Sequence, residues 1–183
     1  SNNTGKSYLV VGHVGRLCKR KGTQFAIKVA EMILRDGFDI QFKFAGPIEN
    51  KNLRTKINTL CAKYTNKVWL EEGFFDHASI MNDVDIILMP SVFEGFGIRA
   101  VEAAKLGKLV IGFDVIGLKD SIGLDDRGHL VPFGDIESIK NLLIFYAKHK
   151  DKLKAKISSA KHNAEKNYSS SSVIEKLKIG LDL

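Results

Sequence analysis

VDIILMPSVFEGFGIRAVEAAKLGKLVIGF, residues 84–113, decides how this chain folds. It opens on a run of consecutive apolar residues that stops at Pro90, passes through a loop containing Gly95 and Gly97, takes on helical spacing over 98–106, and closes on a second apolar run at 108–113. Strands that are apolar at successive rather than alternate positions are those buried on both faces of a sheet. Helix between two such strands argues for a parallel sheet.

The same alternation extends in both directions. Strand-like runs occur at 7–14, 40–46, 67–73 and 128–133, separated by helix-like stretches at 23–35, 53–64, 77–81 and 136–148. The class is α/β, a doubly wound, Rossmann-like parallel sheet. Ligands of such sheets sit beyond the carboxyl ends of the strands, so the loops leading into helices are where chemistry is sought. Residues 1–183 read as a single domain: a flexible start or linker at 1–6, a core at 7–149, and carboxyl-terminal helices at 150–183. Tyr168 and the serines at 169–172 break that last part, and a second helical piece at 173–181 starts from a serine cap.

A hydrophobic share of 44% with 27% charged residues is ordinary for a globular protein, and no stretch reaches the apolar length that a membrane span needs. Two cysteines, Cys18 and Cys61, and an amino terminus without the layout of a secretory signal fit a reducing, cytoplasmic setting. The net charge is +7, and it is concentrated late: ten lysines lie between Lys140 and Lys178, with Asp151, Glu165, Glu175 and Asp182 the only acids after residue 140. The plain reading is a solvated helix face. A basic helix can also meet the inner face of an anionic membrane or a neighbouring domain. Nucleic acid is not expected, because no aromatic residues interleave the lysines as base-stacking platforms would.

GKS at residues 5–7 resembles the end of a phosphate-binding loop, but the strand follows it instead of preceding it, and the reading is rejected. The first strand ends in GHVGRLCKRKGTQ, residues 12–24. Gly12 and Gly15 allow a tight turn and close backbone approach, and Arg16 and Lys21 supply fixed positive charge before a helix. This is an anion site or, on the bland reading, a turn with solvated basic residues. It is not a dinucleotide fingerprint, whose glycine spacing differs.

After Pro90, Gly95 and Gly97 leave the amides of the next helix unobstructed, and a helix start favours phosphate through its free N–H groups and dipole. Glu102 shares a helical stripe with Ile98 and Leu106, so a carboxylate there needs partners such as ribose hydroxyls; the bland alternative is a surface pair with Lys105. Glu94, ahead of the helix, is free to reach past the phosphates to a sugar or, more simply, to cap the helix start.

These blocks, VGHVGRLCKRKG, then PSVFEGFGIRAVEAAKLGKLVIGFDVIGLKDSI and GHLVPFGDIESI, closely resemble the carboxyl-terminal domain of retaining glycosyltransferases of family 4, enzymes of the GT-B fold. The likeness runs from about Tyr8 to about Tyr146. It implies that Arg16 and Lys21, with Gly15, hold a donor diphosphate, that Glu102 binds the ribose, and that Glu94 contacts the donor sugar. It further implies a backbone cradle at Gly95, Phe96 and Gly97 and a base-contacting loop at Gly73 and Phe74, with Glu94, Arg16 and Lys21 as the catalytic set. One departure stands out: Ile116-Gly117 and then Asp120 replace the family's usual Gly-Gly and glutamate, which weakens any contact assigned to that loop.

The function so implied is transfer of a sugar from a nucleoside diphosphate sugar to an acceptor hydroxyl, with no cofactor and no metal, and with an amino-terminal acceptor domain as partner. The alternatives are a sugar-nucleotide epimerase of similar fold and a non-catalytic nucleotide-sugar-binding module.

Overall fold

The computed structural model describes residues 8–74, 76–123 and 128–167. Six strands, β1 (Leu9–Val14), β2 (Ile40–Ala45), β3 (Val68–Glu71), β4 (Ile86–Met89), β5 (Leu109–Phe113) and β6 (Gly128–Val131), alternate with helices. These are α1 (Thr23–Arg35), α2 (Lys51–Lys63), α3 (His77–Asn82), α4 (Ile98–Lys105), α5 (Ile116–Leu118, continuing into a π turn at Lys119–Gly123), α6 (Ile136–Lys148) and α7 (Lys150–Asn167). The strands form one parallel sheet in the order β3-β2-β1-β4-β5-β6.

Burial explains why the apolar runs were legible. Every residue of β4 and β5 is buried, as is all of β1 except Val14. On one face, alternate strand residues such as Leu9, Phe42, Leu88 and Ile111 pack with α1, α2 and α6. On the other, Val10, Ile87, Met89 and Val110 pack with Met81 of α3, Ala100 and Ala103 of α4, and Leu118. The pattern relaxes in β2, where Gln41 and Lys43 are only half-buried beside the short α3, and Lys43 pairs there with Glu71 (2.8 Å) and Asp83 (3.2 Å).

Helix starts match where an apolar period begins at the first turn, as at Thr23 and Ile98. Helix α2 starts two residues earlier than its periodicity predicts. Asn50 caps it, its Oδ1 accepting from the Asn52 and Leu53 amides, and the polar first turn gives no apolar signal.

The strand order positions everything that follows. The chain winds outward through β1, β2 and β3, then returns to place β4 on the other side of β1. The loops after β1 and β4 therefore leave adjacent strands for helices on opposite faces, and a crevice opens between them.

Helix α7 packs against α4 and buries Leu153, Ala160 and Ala164, leaving Lys152, Lys154, Lys161 and Lys166 exposed. This is the solvated-face reading of the lysine-rich segment. Among the described residues no helix is long and apolar enough to cross a membrane. The GKS tripeptide, the serine run and the predicted helical piece at 173–181 lie outside the described residues.

Candidate functional site

The helices at the crevice begin differently from α2, α3 and α6. Asn50, Asp76 and Asp135 cap α2, α3 and α6 with side-chain oxygens. Helices α1 and α4 start instead from Gly22 and Gly97, both in the left-handed region (φ 74° and 69°), and neither makes a side-chain cap bond. Glycine is required at both places by close approach: a Cβ at Gly22 would lie 1.7 Å from the Pro90 carbonyl oxygen and one at Gly97 2.5 Å from Ser121 Oγ.

Between them lies a cleft of about 350 Å³ lined by His13, Gly15, Arg16, Arg20, Lys21, Ser91, Phe74 and Arg99, among others. Its lining carries four cationic side chains and no carboxylate. The two loops are joined across it by a backbone bond from the Val92 amide to the Arg20 carbonyl (2.9 Å) and by an ion pair, Lys21 Nζ donating to Glu94 Oε1 (2.7 Å) and Oε2 (2.8 Å). The Ser91 hydroxyl donates to the same carboxylate (3.1 Å).

The structure brings Gly15, Arg16, Lys21 and Phe74 to one cleft, with Glu94 touching it through Lys21. Gly73 stands next to Phe74, whose side chain is 92% exposed at the rim. Arg16 reaches Glu49 (3.0 Å) in an exposed pair. Gly95 and Phe96 lead into Gly97 at the start of α4, as the sequence indicates.

Two expectations need correction. Glu94 is neither free nor a helix cap: its side chain is 10% exposed, and it is held by Lys21 and Ser91. Nor is Glu102 shielded within an apolar stripe. Ile98 is exposed, Glu102 is 44% exposed, and its carboxylate accepts from Arg99 (2.8 Å) three residues before it, where the bland alternative named Lys105 three residues after. Positions i−3 and i+3 are equivalent on a helix surface, and sequence spacing does not choose between them. Glu102 opens onto a second groove, shared with Asp76, Met81 and Lys105, and Arg99 lines both this groove and the main cleft.

Sequence reasoning passed over His13, which sits between two quoted glycines. Its ring is buried, with Nδ1 3.0 Å from the Leu88 carbonyl and Nε2 3.0 Å from Thr23 Oγ1. A carbonyl only accepts, so Nδ1 carries the proton, and in the neutral ring Nε2 accepts from the Thr23 hydroxyl. Burial lowers the pKa from 6.5 to about 4, opposed by the Leu88 bond and reinforced by the Lys21 charge. One imidazole thus ties the tips of β1 and β4 to the start of α1. A histidine inside an apolar strand run was the available signal.

The loop after β5 also matters more than its departure from the family pattern suggests. A Cβ at Gly117 would lie 1.6 Å from the Gly95 carbonyl oxygen, and one at Gly97 would lie 2.5 Å from Ser121 Oγ. The 116–121 segment is therefore a backstop for the Gly95–Gly97 turn. Gly117→Ala is expected to destabilise the fold by about 1–3 kcal/mol through overpacking against backbone. Urea unfolding checks this, and an unchanged midpoint would contradict the close packing.

The family model of glycosyl transferases group 1 matches residues 1–164. The chain belongs to this family. It is 29% identical over 130 residues to the capsular polysaccharide biosynthesis glycosyltransferase CapM of Staphylococcus aureus, covering 71% of this chain and 34% of the relative. It is 31% identical over 137 residues to the 2-deoxystreptamine N-acetyl-D-glucosaminyltransferase of Streptomyces fradiae, covering 71% and 32%. The group 1 transferase chain thus spans about a third of the length of these curated relatives.

Among solved structures, a TarM variant of S. aureus in complex with fondaparinux, alpha-GlcNAc-glycerol and UDP superimposes with a TM-score of 0.84 at 22% identity, over 97% of this chain and 36% of that one. Anabaena HepE in complex with UDP and glucose gives 0.81 at 21% identity, over 96% and 48%. The fold is that of GT-B glycosyltransferases. An epimerase is not favoured for a group 1 transferase domain. Among its described residues, no group of three or more His, Cys, Asp or Glu side chains converges as a metal site would.

Proposed function

We propose that this chain is the carboxyl-terminal, donor-binding domain of a retaining glycosyltransferase of family 4, working in the cytoplasm with an amino-terminal acceptor domain. The observation that carries the reading is the cationic cleft at the β1/β4 crossing, lined by Arg16, Arg20, Lys21 and Arg99. In this reading Arg16, Lys21 and the amides at the starts of α1 and α4 hold the diphosphate. Glu102, steadied by Arg99, accepts from the ribose hydroxyls, and Gly73 and Phe74 border the base.

Chemically, the bond from the anomeric carbon to the diphosphate oxygen breaks, the acceptor oxygen bonds to that carbon, and the acceptor's hydroxyl proton is released. Charge grows on the leaving oxygen, and the cations and helix dipoles stabilise it in place. Glu94 stands ready for the sugar hydroxyls, held by a lysine that uses two of its three N–H groups and keeps one for phosphate. This charge set supports binding without a metal.

Calorimetry with UDP, GDP and ADP tests the proposal. Binding of one of them, unchanged by a chelator, is the expected result. Glu102→Ala should weaken it about tenfold or more, the loss of a hydrogen bond to a charged group. Binding that vanishes with chelator would overturn metal independence, and a Glu102→Ala affinity equal to wild type would overturn the ribose assignment.

A further inference from the structure

Arg99 is the second residue of α4, and among the described residues it is the one side chain common to the cationic cleft and the Glu102 groove. Helix electrostatics do not explain a cation there. The positive end of the helix dipole disfavours it, and the first turn of α4 holds no acidic residue to offset it. Its Nη1 donates to Glu102 Oε2 (2.8 Å) farther along the helix, but the two side chains are 42% and 44% exposed. A pair so open to solvent contributes little to stability.

The pair also leaves groups unused on both sides. Among the described residues, Glu102 Oε1 and the rest of the Arg99 guanidinium have no partner. An arginine fork can bond a carboxylate with one edge and a phosphate with another.

The covalent order of a nucleotide says what meets that second edge. In the donor reading proposed above, on which this inference rests, ribose lies at Glu102 and the diphosphate in the cleft. The phosphate bonded to the ribose, the α-phosphate, then falls where the two hollows meet, at Arg99. Lys21 is paired with the sugar-facing Glu94 (2.7 Å) and so stands toward the β-phosphate. The base-bordering loop follows the same path, with Phe74 lining the cleft and Asp76 the groove.

We infer that Arg99 is a specificity-determining residue, whose guanidinium holds the α-phosphate of the donor with one edge and Glu102 with the other. It makes the site select nucleotides over nucleosides at the junction of ribose and diphosphate.

The test takes the best binder of UDP, GDP and ADP together with its own monophosphate and nucleoside. Each is measured on wild type, Arg99→Ala and Arg99→Lys by calorimetry, the nucleoside by competition with the diphosphate. Arg99→Ala is expected to weaken diphosphate and monophosphate alike, about tenfold or more, and to leave nucleoside affinity unchanged. Arg99→Lys, which keeps the charge without the fork, should recover part of the loss for both phosphates. A loss confined to the diphosphate would move Arg99 to the β-phosphate and overturn the assignment. An equal loss for the nucleoside would reduce Arg99 to a support for Glu102, and unchanged affinity for all three ligands would leave it a surface pair; either result overturns the inference. Should none of the diphosphates bind wild type, the donor reading falls and takes this one with it, a result distinct from wild-type binding that Arg99→Ala leaves untouched.

Discussion

Lys21→Ala is expected to lower the unfolding free energy by roughly 3 kcal/mol, the low end for breaking a buried ion pair, because the pair keeps some solvent contact. The Glu94 side chain is 10% exposed, and without Lys21 only the Ser91 hydroxyl is left to it in the observed arrangement. The same substitution removes a phosphate donor and leaves an uncompensated negative charge beside the cleft, so nucleoside diphosphate affinity should fall about tenfold or more. Glu94→Ala acts in the opposite sense on the bare diphosphate. It releases the lysine, preserves binding, and abolishes only the preference for the sugar-bearing form. Urea unfolding and calorimetry on the two variants separate these outcomes. Wild-type stability in Lys21→Ala, or equal loss of bare diphosphate affinity in both variants, would contradict the division of roles.

Acidification should destabilise the domain through His13. Its folded pKa is about 4 against an ordinary 6.5, so between these values the unfolded chain binds a proton that the folded chain does not. Stability is therefore complete above pH 6.5, declines as pH falls through the window, and levels off below 4, for a loss of roughly 3 kcal/mol. Asp36 and Asp135, whose pKa values are lowered by Lys140 and Ser138 respectively, act below that window because carboxylates already titrate lower. Unfolding curves at pH 7, 5.5 and 4 should show the decline. His13→Gln, which keeps a donor for Leu88 and an acceptor for Thr23, should flatten it. A slope identical in the variant would rule His13 out as its source.

What the sequence disclosed and what it hid follow from range. The strands and the starts of α1 and α4 depend on neighbours within a few residues, and periodicity exposes them. The glycine-started helices and their basic loop were visible for the same reason. The Lys21–Glu94 pair was not, since its members are 73 residues apart and meet only because β4 returns to lie beside β1. His13 looked unremarkable because its two partners come from α1 and from β4. Gly117 looked like a weakened motif, and its importance is a backbone contact with Gly95 that no local pattern encodes.

The return of β4 to the far side of β1 also has a consequence in time. Strands β2 and β3 each pair with the strand that precedes them in the chain, but Val10 and Asp85, joined by an amide-to-carboxylate bond, are 75 residues apart. Closing so long a loop is an entropic cost met before any contact across it forms. A nascent chain can thus assemble the outer part of its sheet while the cleft still lacks its second wall. No ligand of that cleft can guide the early stages of folding. It can only trap the finished product, shifting the balance toward chains in which β4 has already arrived.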